Sequence, residues 1–345
     1  MTKTKETKDT AGLESFILDT NKKFGDGSIF SIHSHLNKKI DVIPTNVLSF
    51  DMITGVGGLP KGRIIELIGD FSTGKSTLSL HAMAECNRLG MNGLFIDMEH
   101  AIDLNYAYKL GVNKDMILIS QPEYGEQALD ILEAAIDSDN FGLIIVDSVA
   151  ALVPQAEVEG EMTDNHMGIH ARMMGQALRK ITPKAGKHGV VVIFTNQIRD
   201  SIGPFAGKAT PGGKALKFFT TMRFELNRVF GGDIKKGEDK TGNKIKIKCI
   251  KNKVAVPSKE CIVDAVYGEG FSKFNDVFNI AEKHGIVKKA GSWVSYEETK
   301  IQGTESFIKL MKEDVAMYTK IYDAVLEKLN PKVDLVDQNQ EEQPQ

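Results

Sequence analysis

The sequence predicts an α/β fold: a mostly parallel central sheet with flanking helices, an N-terminal helix and strand before it, and a small α+β domain after it. Three observations predict this. Near-continuous apolar runs alternate with amphipathic stretches between about 40 and 220, the pattern of strands covered on both faces by crossover helices. Polar residues cluster at the carboxyl ends of those runs (Glu99, Asp147, Asn196, Gln197), where open parallel sheets bind ligands. A glycine-rich loop joins the first strand-like run to the first long helix-like stretch.

Taken in order, residues 1–10 are polar and expected to form a disordered tail. Residues 12–24, GLESFILDTNKKF, space Leu13, Phe16, Ile17 and Phe24 as an amphipathic helix, and GDGSIFSI follows as a turn and short strand. That pair has little core of its own and must dock on the main body or on a neighbouring copy. RIIELIG (63–69) reads as a strand, and KSTLSLHAMAECNRLG (75–90) as a helix ending at Gly90. GLFIDME (93–99) and FGLIIVDS (141–148) are strands on either side of the helix GEQALDILEAAIDS (125–138). HARMMGQALRKITPKAGKHG (170–189) begins as a helix and leads into the strand GVVVIFTNQ (189–197). Beyond about 220, MRFELNRVF, NKIKIKCIKNKVA and KECIVDAVYG are meandering strands, followed by a helical region over about 274–329. The expected division is 1–36 for the N-terminal tail and helix/strand, 37–272 for the core, 273–330 for the small domain, and 331–345 for an acidic disordered tail.

The 345 residues, 41% hydrophobic and 26% charged, describe an ordinary globular chain of about two domains. The three cysteines, Cys86, Cys249 and Cys261, have no metal-ligand spacing, and their odd number predicts a reducing cytoplasm. The opening MTKTKETKDTAG has no apolar segment of a secretory signal, and no apolar run has the length to span a bilayer, so no membrane partner is expected. A net charge of −3 is not the usual footprint of a nucleic-acid binder, but the charge is segregated. Residues 232–253 hold eight lysines against three acids, whereas 332–345 hold one lysine against four. Each run alone could equally be a solvated face.

GDFSTGKST (69–77) fits G-x-x-x-x-G-K-[ST], which average composition would produce by chance about one or two times in a hundred chains of this length. It follows a strand and opens a helix, as its mechanics require. Gly69 and Gly74 let the loop Asp70, Phe71, Ser72, Thr73 turn its N–H groups toward phosphate oxygens, and the helix N-terminus adds partial positive charge. Lys75 is placed to reach the β- and γ-phosphates of a bound nucleotide, Ser76 to offer a hydroxyl to Mg²⁺, and Thr77 completes the motif. Asp147, closing IIVD, stands where the magnesium-side acid belongs, or else caps the next element. Hydrolysis also needs an acceptor to orient water; Glu99 is the candidate and Asp97, two residues earlier on the same strand, the competitor.

One stretch resists this scheme. NQIRDSIGPFAGKATPGGKALKF (196–218) leaves a strand and runs through Gly203, Pro204, Gly207, Pro211, Gly212 and Gly213, a density of breakers expected to exclude helix and strand. Arg199, Lys208, Lys214 and Lys217 face only Asp200. A loop of this length inside a compact domain is functional or a disordered connector.

With these pieces assembled, the chain over about 12–300 resembles the bacterial RecA recombinase family. The resemblance rests on GGLPKGRIIELIGDFSTGKSTL, FIDMEHAIDLNYAYKLGV, SQPEYGEQALDI, IIVDSVAALVPQAEVEGEMTDNHMGIHARMMGQALRK, FTNQIR, TPGGKALKF and KNKVAVP, in the family's order. It implies a DNA-dependent ATPase on a P-loop core that assembles as a helical homo-oligomeric filament on single-stranded DNA, pairs it with homologous duplex and exchanges strands. It implies Glu99 rather than Asp97 as the catalytic carboxylate, Asp103 and Tyr106 against adenine, and Gln197 as γ-phosphate sensor. The 196–218 stretch becomes the second DNA-binding loop (about 198–214). There Arg199 and Lys214 supply charge, Gly212 and Gly213 allow close approach to phosphates, and Ile202 wedges between base triplets. The first loop is about 159–168 with Met167 in a comparable place, and Arg172 and Arg179 share one helix face toward the DNA backbone. Lys251 and Lys253 would reach a neighbour's γ-phosphate, and Phe218 would relay nucleotide state across the interface. Lys283, His284, Lys288 and Lys289 are the candidate basic patch of a duplex-capturing C-terminal domain, and the acidic tail would compete with DNA for it. Self-cleaving repressors and recombination mediators join the implied partners.

The chain departs from the family pattern at Leu104, where proline is usual, at Asp200, Lys214 and Gly175, and in a second loop about two residues shorter. The change at Leu104 bears on the rigidity of the backbone beside adenine, and the others on DNA affinity and strand-exchange efficiency rather than on activity class. A ring-shaped motor of the same fold and a non-exchanging DNA-binding relative are the competing readings.

Overall fold

The computed structural model describes residues 3–25, 27–32, 40–161, 168–200 and 208–329. They divide into two units, residues up to Asp41 and residues from Val42.

In the first unit, α1 runs Lys3–Phe24. The helix therefore extends through most of the segment expected to be a disordered tail. Lys and Glu are good helix formers, and extending an existing helix costs far less than nucleating one. Residues 27–32 do not form the expected strand. Asn21 explains this: its amide donates to Ile29 O (3.0 Å) and its carbonyl accepts Ile29 N–H (3.1 Å), so a side chain occupies what a strand partner would use. Gly25 and Gly27, both at positive φ, make the turn.

In the second unit, β1 (Val42–Ile43) pairs with β2 (Leu59–Pro60) around α2 (Leu48–Thr54). Then follow β3 (Ile64–Gly69), α3 (Lys75–Arg88), β4 (Asn92–Asp97), α4 (Leu104–Lys109), β5 (Ile117–Ser120), α5 (Gly125–Asp137) and β6 (Phe141–Asp147). Next come α6 (Gln155–Glu159), α7 (Ile169–His188), which continues through Pro183, and β7 (Val191–Gln197). The two-residue strands β8 (Arg199–Asp200) and β9 (Lys208–Ala209) pair with each other, and α8 (Gly213–Phe219) follows. So the breaker-rich stretch does hold a helix. Its glycines lie at the start, with Gly212 and Gly213 at positive φ, and the helix-forming residues ALKFF come after them.

The strands β10 (Met222–Lys236), β11 (Asp239–Asn252), β12 (Glu260–Val266) and β13 (Gly270–Phe271) complete a nine-stranded sheet, ordered β13-β12-β11-β10-β3-β7-β6-β4-β5. From β10 to β5 every pairing is parallel; β10 to β13 form an antiparallel meander. The period-2 alternation of buried strands sorts side chains between the two faces. Ile65, Leu67, Ile145 and Ile193 join Leu78, Met83 and Cys86 of α3 in one core. Ile64, Ile144, Val146, Val192 and Phe194 meet Leu129, Leu132 and Ile136 of α5 and Met174, Leu178 and Ile181 of α7 in the other. Each fully buried aliphatic side chain contributes about 1.5–3 kcal/mol.

The remainder is α9 (Lys273–Lys283), a three-stranded sheet of β14 (Lys288–Ala290), β15 (Trp293–Tyr296) and β16 (Thr299–Gln302), then α10 (Thr304–Glu313) and α11 (Val315–Leu329). Its core, around Phe278, Phe307 and Ile321, also takes in Leu48 and Met52 of α2. Asp276 of α9 makes the polar link: buried, it accepts Ser49 N–H at 2.9 Å. Burial lifts its carboxyl to about 6, opposed by hydrogen bonding from Ser49 and reinforced by Asp264. The native state therefore holds a proton between about pH 4 and 6 that the unfolded chain has released, and stability falls as pH rises through that window. Asp276→Asn keeps an acceptor for Ser49. It is expected to flatten that fall and to stabilise the protein at pH 8 by roughly 2 kcal/mol relative to the parent, read from thermal midpoints across pH. A lower midpoint at pH 8 would refute this.

Candidate functional site

Parallel register brings the sequence-predicted residues to one end of the sheet. Gly69 and Gln197 are Cα partners on β3 and β7, and Asp97 and Asp147 on β4 and β6. Between β3 and α3 the loop has to be glycine at two points. A Cβ on Gly69 would lie 2.5 Å from Leu226 O, and one on Gly74, at φ 87, would lie 2.7 Å from the Phe271 ring. Within the loop, Asp70 accepts Phe71 N–H through its side chain and the Thr73 hydroxyl through its carbonyl. Ser72 has φ 53 and its carbonyl accepts from Arg228, whose guanidinium lies over the exposed Phe71 ring. No side chain caps the start of the 14-residue α3, so its first N–H groups face the loop.

Lys75 is buried and donates to Gly69 O (3.1 Å) and Asp70 O (2.8 Å), folded back along the loop that would hold phosphates. Burial lowers its pKa, and Asp147, Glu99 and Asp70 oppose this. Ser76 donates to Asp147 Oδ2 at 2.6 Å and Thr195 to Asp147 Oδ1 at 2.5 Å. Burial raises the Asp147 pKa, and these two hydroxyls draw it back. Ser76 and Asp147 offer one hydroxyl and one carboxylate. Among the described residues no group of three or more His, Cys, Asp and Glu side chains is arranged to hold a metal ion by itself. Two oxygen donors with the remaining positions left to phosphate and water is the donor set that suits Mg²⁺.

The two carboxylates near Asp147 have separate employment. Asp97, 2% exposed, accepts Ile102 N–H (3.2 Å) and the Gln121 amide (3.0 Å). Glu99, two residues past the end of β4, is exposed, and its Oε1 accepts Ser148 Oγ at 2.6 Å and Gln197 Nε2 at 3.3 Å. Asp97 is thus occupied in holding the turn, while Glu99 faces the cleft in contact with Gln197.

A cleft of about 170 Å³ between α3 and α4 is lined by Ser76, Leu80, Glu99, Asp103, Tyr106 and Asp147 among others. Asp103 caps α4 by accepting Tyr106 N–H at 3.0 Å, and Tyr106 OH lies 3.2 Å from Thr77 Oγ1. The helix starts at Leu104 without the usual proline, because the Asp103 cap already defines its first turn.

Of the DNA-loop candidates, Met167 and Ile202 lie outside the described residues. The backbone of Arg199 is in β8. Arg172 and Arg179 are exposed on α7, and Lys214 is exposed on α8. α8 lies close against the start of α7: a Cβ on Gly213 would come within 3.0 Å of Ala171 Cβ, and one on Gly175 within 3.7 Å of Ala215 Cβ. Phe218 is 70% exposed. Lys251 Nζ donates to Lys217 O (2.5 Å) and Phe218 O (3.1 Å), and Lys253 Nζ to Phe218 O (2.9 Å). Both ammoniums thus sit on the last carbonyls of α8. Burial, with Lys253 and Arg223 alongside, pushes Lys251 down to about 8. Lys283, Lys288 and Lys289 are exposed and His284 half-buried. The acidic tail lies outside the described residues.

Sequence reasoning missed Ser148 and Thr195, which hold Glu99 and Asp147, and missed that Asn196 bonds the buried Glu66, itself paired with the partly buried Arg223. The signal was a polar residue inside an otherwise apolar run: Glu66 in IIELIG and Thr195 in VVIFTNQ.

Comparison with known proteins identifies the family. A family model described as the RecA N-terminal domain matches residues 11–272, and one described as the RecA C-terminal domain matches 275–330. Protein RecA of Chloroherpeton thalassium is 49% identical over 311 residues, 89% of this chain and 87% of that protein. Protein RecA of Bacillus subtilis is 45% identical over 320 residues (92% and 91%), and that of Pseudarthrobacter chlorophenolicus 42% over 320 (92% and 90%).

Proposed function

The chain belongs to the RecA family, and from that premise we propose that it is a DNA-dependent ATPase that assembles on single-stranded DNA as a helical filament, pairs it with homologous duplex and exchanges strands in recombination and repair. The observation that carries the reading is the Glu99–Gln197 contact beside Lys75, Ser76 and Asp147, since it joins a hydrolytic carboxylate to the root of the second loop. ATP binds along Gly69–Thr77 with adenine near Asp103 and Tyr106. Bound Mg²⁺, held by Ser76 and Asp147, would neutralise phosphate charge. Lys75 turns from the Gly69 and Asp70 carbonyls to the β- and γ-phosphates. Gln197 leaves Glu99 for the γ-phosphate, and Glu99, released, orients the attacking water.

DNA lies against Arg172, Arg179, Arg199, Lys214 and the Gly212–Gly213 turn, with Met167 and Ile202 as apolar wedges. Lys251 and Lys253 reach the nucleotide of the next protomer, which makes assembly nucleotide-dependent. Phe218 sits at that interface, and so does α1, whose Leu13, Phe16 and Phe24 are exposed. The division at 36, 272 and 330 belongs to this proposal. So do the basic patch at 283–289 and partners among self-cleaving repressors and recombination mediators. A cytoplasmic setting suits the three cysteines, which are free. Among the described residues no helix is long and apolar enough to cross a membrane.

The test is ATP hydrolysis with and without single-stranded DNA over a salt series. Strong stimulation that fades with salt, as phosphate contacts are screened, is the expected result. A rate indifferent to DNA would contradict the reading.

A further inference from the structure

A carboxylate in the middle of the parallel sheet needs an explanation. Glu66 is fully buried at the centre of β3. Burying a charge pair seldom adds stability over well-packed apolar residues, so packing does not account for it. Both of its oxygens are engaged: Oε2 accepts Arg223 Nε at 2.5 Å and Oε1 accepts Asn196 Nδ2 at 2.8 Å. Asn196, also fully buried, donates again to Pro211 O (2.9 Å), and its Oδ1 accepts Gln197 N–H (2.9 Å). One amide thus joins the two ends of the second loop and holds the backbone of Gln197.

The row continues in the other direction. Arg223 is the Cα partner of Glu66 on β3 and of Lys251 on β11. Lys251, Arg223 and Glu66 are therefore in register across three adjacent strands, and Asn196, two residues beyond Phe194, the β7 partner of Glu66, extends the row to a fourth strand through its side chain. α8 is held at both ends of this row: just before its start, Pro211 rests on Asn196, and its last carbonyls rest on Lys251 and Lys253.

We propose that Glu66, Arg223 and Asn196 are positioning residues that couple Lys251 to Gln197 and to the exit of the second loop. The proposal rests on the reading above, in which Lys251 answers the neighbour's nucleotide and Gln197 the protomer's own. When the lysines leave α8 for a phosphate, its final carbonyls lose their donors, while Arg223 changes neighbours next to Glu66. The remaining hold on the segment passes through Asn196 to Gln197. The state of the neighbour's nucleotide is thereby passed on to the residue that touches Glu99 and to the loop that holds DNA.

The test uses Glu66→Gln in the full chain. It preserves shape and a hydrogen-bond acceptor but removes the charge that holds Arg223. DNA-free hydrolysis is expected to stay within about two-fold of the parent, while stimulation by single-stranded DNA falls about ten-fold or more. The double variant Glu66→Gln/Arg223→Met removes both charges and separates coupling from folding. Its thermal midpoint is expected to return toward the parent while stimulation stays lost, and it carries the test alone if the single variant fails to fold. Parental stimulation in Glu66→Gln, or stimulation that recovers together with the midpoint in the double variant, would overturn the proposal. A parent that DNA does not stimulate would overturn the functional reading, and the relay with it; normal stimulation in both parent and variants would overturn the relay alone.

Discussion

Lys75→Ala is expected to lower ATP turnover by about 10²–10³-fold, the scale of removing one aimed charge from a developing anion, and to abolish stable filaments. Lys75 is buried and already lies along the loop on Gly69 O and Asp70 O. Its loss leaves those carbonyls facing the phosphates with no cation between them. The Ser76–Asp147 pair remains, so magnesium-side chemistry does not compensate. Steady-state hydrolysis with and without single-stranded DNA, together with light scattering for assembly, checks this. Normal turnover would contradict the assignment of the phosphate loop.

The second large effect separates binding from chemistry. Glu99→Ala is expected to bind ATP and single-stranded DNA as the parent does, and to turn over about 10²–10⁴-fold more slowly, the span of losing a positioned base. Glu99 touches Ser148 and Gln197 rather than the phosphate loop, so its removal leaves Lys75, Ser76 and Asp147 in place. Asp97→Asn is the instructive comparison. Asp97 holds Ile102 and Gln121, so this change is expected to cost stability before it costs turnover. Nucleotide affinity measured beside single-turnover rates distinguishes the two; loss of ATP binding in Glu99→Ala would contradict the role given to Glu99.

The central sheet was legible because parallel strands covered on both faces leave long apolar runs, and the phosphate loop was legible because its glycines and lysine occupy consecutive positions. The Asp97/Glu99 choice was not open to the residues alone. Both stand near one strand end, and only the structure shows one buried and occupied while the other reaches Gln197. The Glu66–Asn196–Arg223 group was still less visible. Glu66 lies more than a hundred residues from both Asn196 and Arg223 and meets them only because their strands are neighbours in the sheet, which no local period encodes. The same limit applies at the N-terminus, where a side-chain amide on Ile29, rather than a strand partner, decides the backbone. In the breaker-rich loop, counting glycines and prolines hid a helix, because the position of a breaker at a helix start matters more than its frequency.

Strand exchange is the most direct test of the central claim. The protein is mixed with single-stranded DNA, ATP and Mg²⁺, then offered either homologous or unrelated linear duplex, and joint molecules are resolved on a gel. The account predicts joint molecules and displaced strand from the homologous duplex alone, dependent on ATP and absent in Lys75→Ala. DNA-stimulated hydrolysis without any homologous product would contradict it and mark the chain as a motor or a non-exchanging DNA-binding relative.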